Sequence, residues 1–258
     1  MTEPEVYGES GPVVLVLPGG AEGAEGFFPG LVEGLLDDPG CRVVVHDRPG
    51  TGSSVAGGNL TTAARDLHRV TQQFGPVVVV GQSLGGAVAT LFARDHPEDV
   101  AGLVLVDSTP LIDPVLSRRV ELVARATGFL GRVPIVRDGL AGLMRRSLEK
   151  TAADPKLRPD CAEAFRATEL DFAKLERAVR GLGALSEGFD PADLPKVPAV
   201  VITADRKATS AIRRSHERLA EALGAELVSW PGATHSAHLT HPDEVLAVTR
   251  EVVRQTLG

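Results

Sequence analysis

Short runs made almost entirely of Val and Leu recur along this chain, and polar segments with helical spacing separate them. Val13–Leu17, Val77–Val80 and Leu103–Val106 contain nothing else. Runs of four or five residues are too short for helices. They also lack the in-out alternation of a half-exposed strand, so they read as strands buried on both faces. Arg42–His46, Ala199–Thr203 and Glu226–Trp230 extend the series. Helical spacing is predicted over Glu25–Asp38, Thr61–Phe74, the segment opening after Gly86 and ending at His96-Pro97, Ser210–Leu223, and Pro242–Leu257. Thr240 with Asp243 has the form of a capping box for the last helix. Strand and helix in alternation with short connections predict an α/β architecture, a mostly parallel sheet with helices on both faces.

The rhythm stops between Pro110 and Pro195. No strand is expected there, and helices are predicted over Val115–Phe129, Ile135–Thr151, Asp160–Arg180 and Gly183–Glu187. The chain is thus divided into a core, residues 1–109 and 196–258, and a helical insertion, residues 110–195. The apolar residues of the insertion, among them Leu122, Val123, Phe129, Leu140, Leu143, Met144, Phe165, Phe172 and Leu175, are expected mostly to pack on the core and on one another, with a few lining a pocket.

Gly81-Gln82-Ser83-Leu84-Gly85 matches G-x-S-x-G, and its context makes it informative. Ser83 falls between an all-Val strand and a helix, where a sharp turn would present the hydroxyl and a helix N-terminus would favour developing negative charge. A Ser hydroxyl needs a base. His235 is the candidate, on the loop after the last strand; His238 is its main rival. Two backbone N–H groups are needed to hold an oxyanion. Leu84 is expected to supply one, and the Pro18-Gly19-Gly20-Ala21 loop the other, with Gly20 preferred and Ala21 next.

These segments resemble the α/β-hydrolase superfamily, in its cap-containing branch of serine hydrolases. The resemblance rests on Leu17-Pro18-Gly19-Gly20, Asp47-Arg48-Pro49-Gly50-Thr51-Gly52-Ser53, Gly81 to Gly86, Leu103 to Asp107, and Pro231-Gly232-Ala233-Thr234-His235 through Pro242. It implies an α/β-hydrolase fold, a helical cap over residues 110–195, and acyl transfer to water through a Ser-His-Asp triad. The chain departs from the family in three places. Pro18-Gly19 replaces the usual His-Gly, and there is room for at most one strand before Val13. Lys207 occupies the position where most relatives carry the acid. Two acids are therefore open: Asp107, at the end of the strand before the insertion, is preferred, and Asp205 is the alternative.

A Ser nucleophile points to a small or medium carboxylic ester. The alternatives are a cofactor-free perhydrolase or haloperoxidase, a C–C bond hydrolase on the same triad, and an inactive ligand-binding relative, which Lys207 would favour. No metal, nucleotide or flavin is implied, because the glycines form neither a dinucleotide nor a phosphate loop and the two cysteines have no metal spacing. A net charge of −7 without a basic block argues against nucleic acid. Arg118-Arg119, Arg145-Arg146 and Arg213-Arg214 read as solvated helix faces. No apolar run is long enough to span a membrane, and Met1–Pro12 has no signal-peptide core. The expectation is a cytoplasmic protein whose partner is a small-molecule substrate; no feature of the sequence specifies an oligomeric state.

Overall fold

The computed structural model describes residues 3–258; residues 1 and 2, the start of the first core segment as read from sequence, lie outside it. Seven strands form one sheet: β1 (Glu5–Tyr7), β2 (Val13–Leu17), β3 (Arg42–Val45), β4 (Val77–Gln82), β5 (Val100–Val106), β6 (Ala199–Ile202) and β7 (Glu226–Val228). Their spatial order is β1-β3-β2-β4-β5-β6-β7. Only β1 runs antiparallel, pairing with β3; every other pairing is parallel.

The all-aliphatic runs are strands because both of their faces are covered. Leu15, Val79, Leu103, Leu105 and Val201 join one core. Val16, Val78, Val80, Val104 and Val200 join the other. The first core is closed by α2 (Leu60–Thr71), α3 (Leu84–Asp95) and α9 (Ala211–Leu223), the second by α1 (Leu31–Asp37) and α11 (Pro242–Gln255). Between β5 and β6 the chain makes five helices, α4 (Pro114–Leu130), α5 (Pro134–Ala152), α6 (Pro159–Ala167), α7 (Phe172–Ala178) and α8 (Leu182–Glu187), and no strand among the described residues. The four-residue α10 (Ala237–Thr240) precedes α11.

Several local expectations need correction. The helix predicted over Glu25–Asp38 begins only at Leu31, because Pro29 and a left-handed Gly30 (φ 73°) hold the preceding residues in a loop. The helix predicted over Asp160–Arg180 is two. Asp171 breaks it by accepting the Lys174 amide at 2.8 Å as the cap of α7. Thr240 belongs to α10 and caps nothing, since His241 stands at the N-cap of α11 without a side-chain bond. The apolar residues of the insertion also divide differently than expected. Phe165 and Phe172 are buried, whereas Leu122, Val123, Phe129, Leu143 and Met144 are exposed.

Candidate active site

The β4–α3 turn places Ser83 at φ 51° and ψ −116°, a conformation that L-residues rarely adopt. The flanking glycines make it possible. A Cβ on Gly81 would stand 2.6 Å from the carbonyl oxygen of Gly85, and one on Gly85 would press into the backbone of Leu17 and Pro18 at the end of β2. Bonds to the end of β5 complete the turn: Ser83 N donates to Val106 O at 3.0 Å, and Thr109 N to Ser83 O at 2.9 Å.

His235 reaches this turn from the loop after β7. Its Nε2 lies 3.0 Å from Ser83 Oγ, and its Nδ1 lies 2.6 Å from Asp107 Oδ2. Gln82 Nε2 donates to the His235 carbonyl at 2.8 Å, tying the loop to β4. Asp107 follows β5, is 2 % exposed, and also holds a positive φ of 43°. Its Oδ1 accepts the Ala204 amide at 2.8 Å. Arg206 grips both of its oxygens, with Nη1 on Oδ1 and Nη2 2.6 Å from Oδ2. Burial opposes the charge on Asp107, but bonds from Arg206, His235 and Ala204 outweigh it and hold the carboxyl well below the usual carboxylate range.

Asp205 is placed elsewhere. Its Oδ2 accepts the Gly232 amide at 2.9 Å and its own N–H donates to Ala233 O at 2.7 Å, so it braces the loop that carries His235. Lys207 is exposed on the same turn. His238 stacks on Phe27, with ring centres 4.5 Å apart, and burial pushes it down to about 3, leaving it neutral.

The loop after β2 faces Ser83. A Cβ at Gly19 would stand 3.1 Å from Ser83 Cβ, and Gly20 adopts φ 54°. The buried Arg48 donates to Pro18 O at 3.1 Å and fixes this loop from below. Asp47 secures the next turn by accepting from Ala24 N at 2.8 Å and Ser53 N at 2.7 Å. These bonds give Asp47-Arg48 and Ser53 their roles, and Gly52 is required because a Cβ there would collide with the Asp47 carboxylate. Leu84, the first residue of α3, carries one of the N–H groups left unpaired at a helix N-terminus.

Sequence reasoning passed over Arg206, and also His216. The latter is buried between the Ser108 carbonyl (Nε2, 2.8 Å) and Thr203 Oγ1 (Nδ1, 2.9 Å). Nε2 must donate to the carbonyl, so Nδ1 accepts from the hydroxyl. A cleft of about 450 Å³ opens over Ser83 and His235. Phe27, Ala164, Leu175 and Leu239 form its apolar wall. Glu22, Glu25 and Glu169 also line it, and no Arg or Lys does among the described residues.

The sequence model of the alpha/beta hydrolase family matches residues 13–248, nearly the whole chain. The chain belongs to this family. A putative carbamate hydrolase of Variovorax paradoxus is 34% identical to this hydrolase over 110 residues, a stretch covering 40% of this chain and 41% of that protein. A pimeloyl-[acyl-carrier protein] methyl ester esterase of Chromobacterium violaceum is 29% identical over 258 residues and 96% of each chain. Among solved structures, a thermophilic esterase of Thermogutta terrifontis superposes with a TM-score of 0.74 at 25% identity, over 98% of this chain and 93% of that one. The hydrolase thus shares both fold and general chemistry with enzymes of this class.

Proposed function

We propose that this enzyme hydrolyses small or medium neutral carboxylic esters through Ser83, His235 and Asp107. The observation that carries the reading is the unbroken line from Ser83 Oγ to His235 Nε2 (3.0 Å) and from His235 Nδ1 to Asp107 Oδ2 (2.6 Å). Nδ1–H donates to the carboxylate, which leaves Nε2 free to accept the Ser83 proton as Oγ attacks the ester carbonyl. The oxyanion is held by the N–H groups of Leu84 and Gly20. His235 then protonates the departing alcohol, and water, deprotonated by the same imidazole, releases the acid and restores Ser83.

The cleft supports the substrate class. Its apolar wall suits an aliphatic group, and its lining carboxylates, Glu22, Glu25 and the Lys174-paired Glu169, disfavour anionic substrates. The esterase relatives point the same way. The inactive-module alternative rests on Lys207, which is exposed and stands apart from the Asp107–His235 contact.

A fluorophosphonate probe and a series of p-nitrophenyl esters test the reading. Labelling is expected at Ser83 and lost in Ser83→Ala, with kcat falling by roughly 10⁶. Asp107→Asn should cost about 10⁴, while Asp205→Asn keeps most of the activity. Absence of labelling and of ester turnover in the wild-type protein would overturn it. Halogenation with peroxide and acetate in place of ester turnover would move the enzyme to the perhydrolases.

A further inference from the structure

Helix α4 presents its more apolar side to solvent. Ser117, Glu121, Ala124 and Gly128 face inward, toward α7 and α8. Leu122 (65 % exposed), Val123 (62 %), Phe129 (66 %) and Leu130 (45 %) lie on the opposite stripe. The corner into α5 continues the surface with Val133 (51 %) and Ile135 (86 %). Of the 19 residues of α5 only Ala152 is buried. None of these outward residues lines the cleft over Ser83, whose helical wall comes from α6, α7 and α10.

The same segment carries an unusual charge. Between Pro114 and Ala152 there are eight Arg and Lys against three acids, Glu121, Asp138 and Glu149. That is a surplus of five in a chain of net charge −7, so the remainder carries −12. The arginines are interleaved with the apolar groups: Arg132 lies over the Phe129 ring at 5.8 Å, and Arg137 follows Ile135 and Val136.

We propose that the outer face of α4 and its corner with α5 docks on the surface of an anionic lipid bilayer. Large apolar side chains set among cations are what such an interface recognises: the apolar groups enter the headgroup boundary while the guanidinium groups meet lipid phosphates. The remainder of the chain, at −12, is repelled, which favours docking by this face even though Glu176 and Glu187 pair with Arg132 and Arg118 at its edge. A two-fold contact with a second copy would oppose two positive surpluses, and it is disfavoured for that reason. Because α4 packs on α7 and α5 on α6, docking sets the membrane against the outer side of the elements that wall the cleft. The proposal concerns the surface alone and stands whether or not Ser83 hydrolyses an ester.

Vesicle flotation tests it, with phosphatidylcholine alone and with phosphatidylcholine mixed with phosphatidylglycerol. The wild-type protein should float only with the anionic vesicles, and less so as salt is raised. Arg137→Gln should weaken binding about fivefold, and the pairs Phe129→Ser with Ile135→Ser and Arg132→Glu with Arg137→Glu should abolish it. All of these positions are exposed, so thermal melts and probe labelling of the variants should match wild type. The proposal is overturned by failure to bind anionic vesicles, by equal binding to both vesicle types, or by binding that survives both double substitutions. A lipid-free dimer dissolved by Phe129→Ser with Ile135→Ser would also overturn it and assign the face to a second copy.

Discussion

Asp107 is the residue on which most of the site converges. It accepts from His235, Ala204 and Arg206 while almost fully buried. Removing Arg206 leaves a buried carboxylate with fewer partners, so Arg206→Ala should lower stability at pH 7 by about 2–3 kcal/mol, measured by denaturant unfolding. The pH dependence has a definite sign. In the folded protein the Asp107 carboxyl lies below its unfolded value of ~3.9, so its charged bonds stabilise the fold above that pH and are lost as pH falls below it. In Arg206→Ala the folded value rises toward the unfolded one. The variant should therefore lose less stability than wild type between neutral and strongly acid pH, and an equal or steeper acid loss would contradict this account. Sequence showed Asp107 as a candidate because its strand was plain. It could not show Arg206, because nothing local in Asp205-Arg206-Lys207 says that the guanidinium turns back across the sheet to a residue 99 positions earlier.

At the scale of elements, the β4–α3 turn works because glycine leaves room for backbone to pass backbone. Gly85→Ala would drive a methyl group into the carbonyls of Leu17 and Pro18, which cannot swing aside as a side chain could. The expected loss is about 2–4 kcal/mol in thermal or denaturant unfolding, with phosphonate labelling reduced in the fraction that folds. Gly57→Ala, which meets nothing within 4 Å, is the matched control and should be near neutral. The core strands and this turn were legible because both follow from local rules: aliphatic runs of strand length, and glycines where no side chain fits. Other features depended on tertiary contacts. The loop before α1 is settled by Phe28 entering the core, and the outward face of α4 by α7 and α8 taking its small residues instead. In both places helical spacing was read as if every apolar stripe must point inward.

Across the whole molecule, burial is uneven. The strands of the sheet interior are almost fully buried, whereas α5 packs chiefly on α6 and has one buried residue. Local opening should therefore begin there. Limited trypsin digestion is expected to cut first at Arg137, Arg145 or Arg146, as read by mass spectrometry, while Arg42 and Arg94 stay protected. Early cleavage in the core would contradict it. No helix of the described residues is long and apolar enough to cross a membrane. The five-helix excursion leaves the sheet after β5 and returns at β6, and these two strands are direct neighbours, with Val106 opposite Ile202. The two attachment points thus sit side by side on a framework whose other strands are joined without passing through the excursion. In engineering terms the two ends form a single splice point: a foreign helical segment spliced between residues 110 and 195 would leave Ser83, Asp107, Arg206 and His235 on the retained framework, provided that it also replaces the buried Leu111, Val179, Leu182 and Leu194, which pack into the core on that side of the sheet.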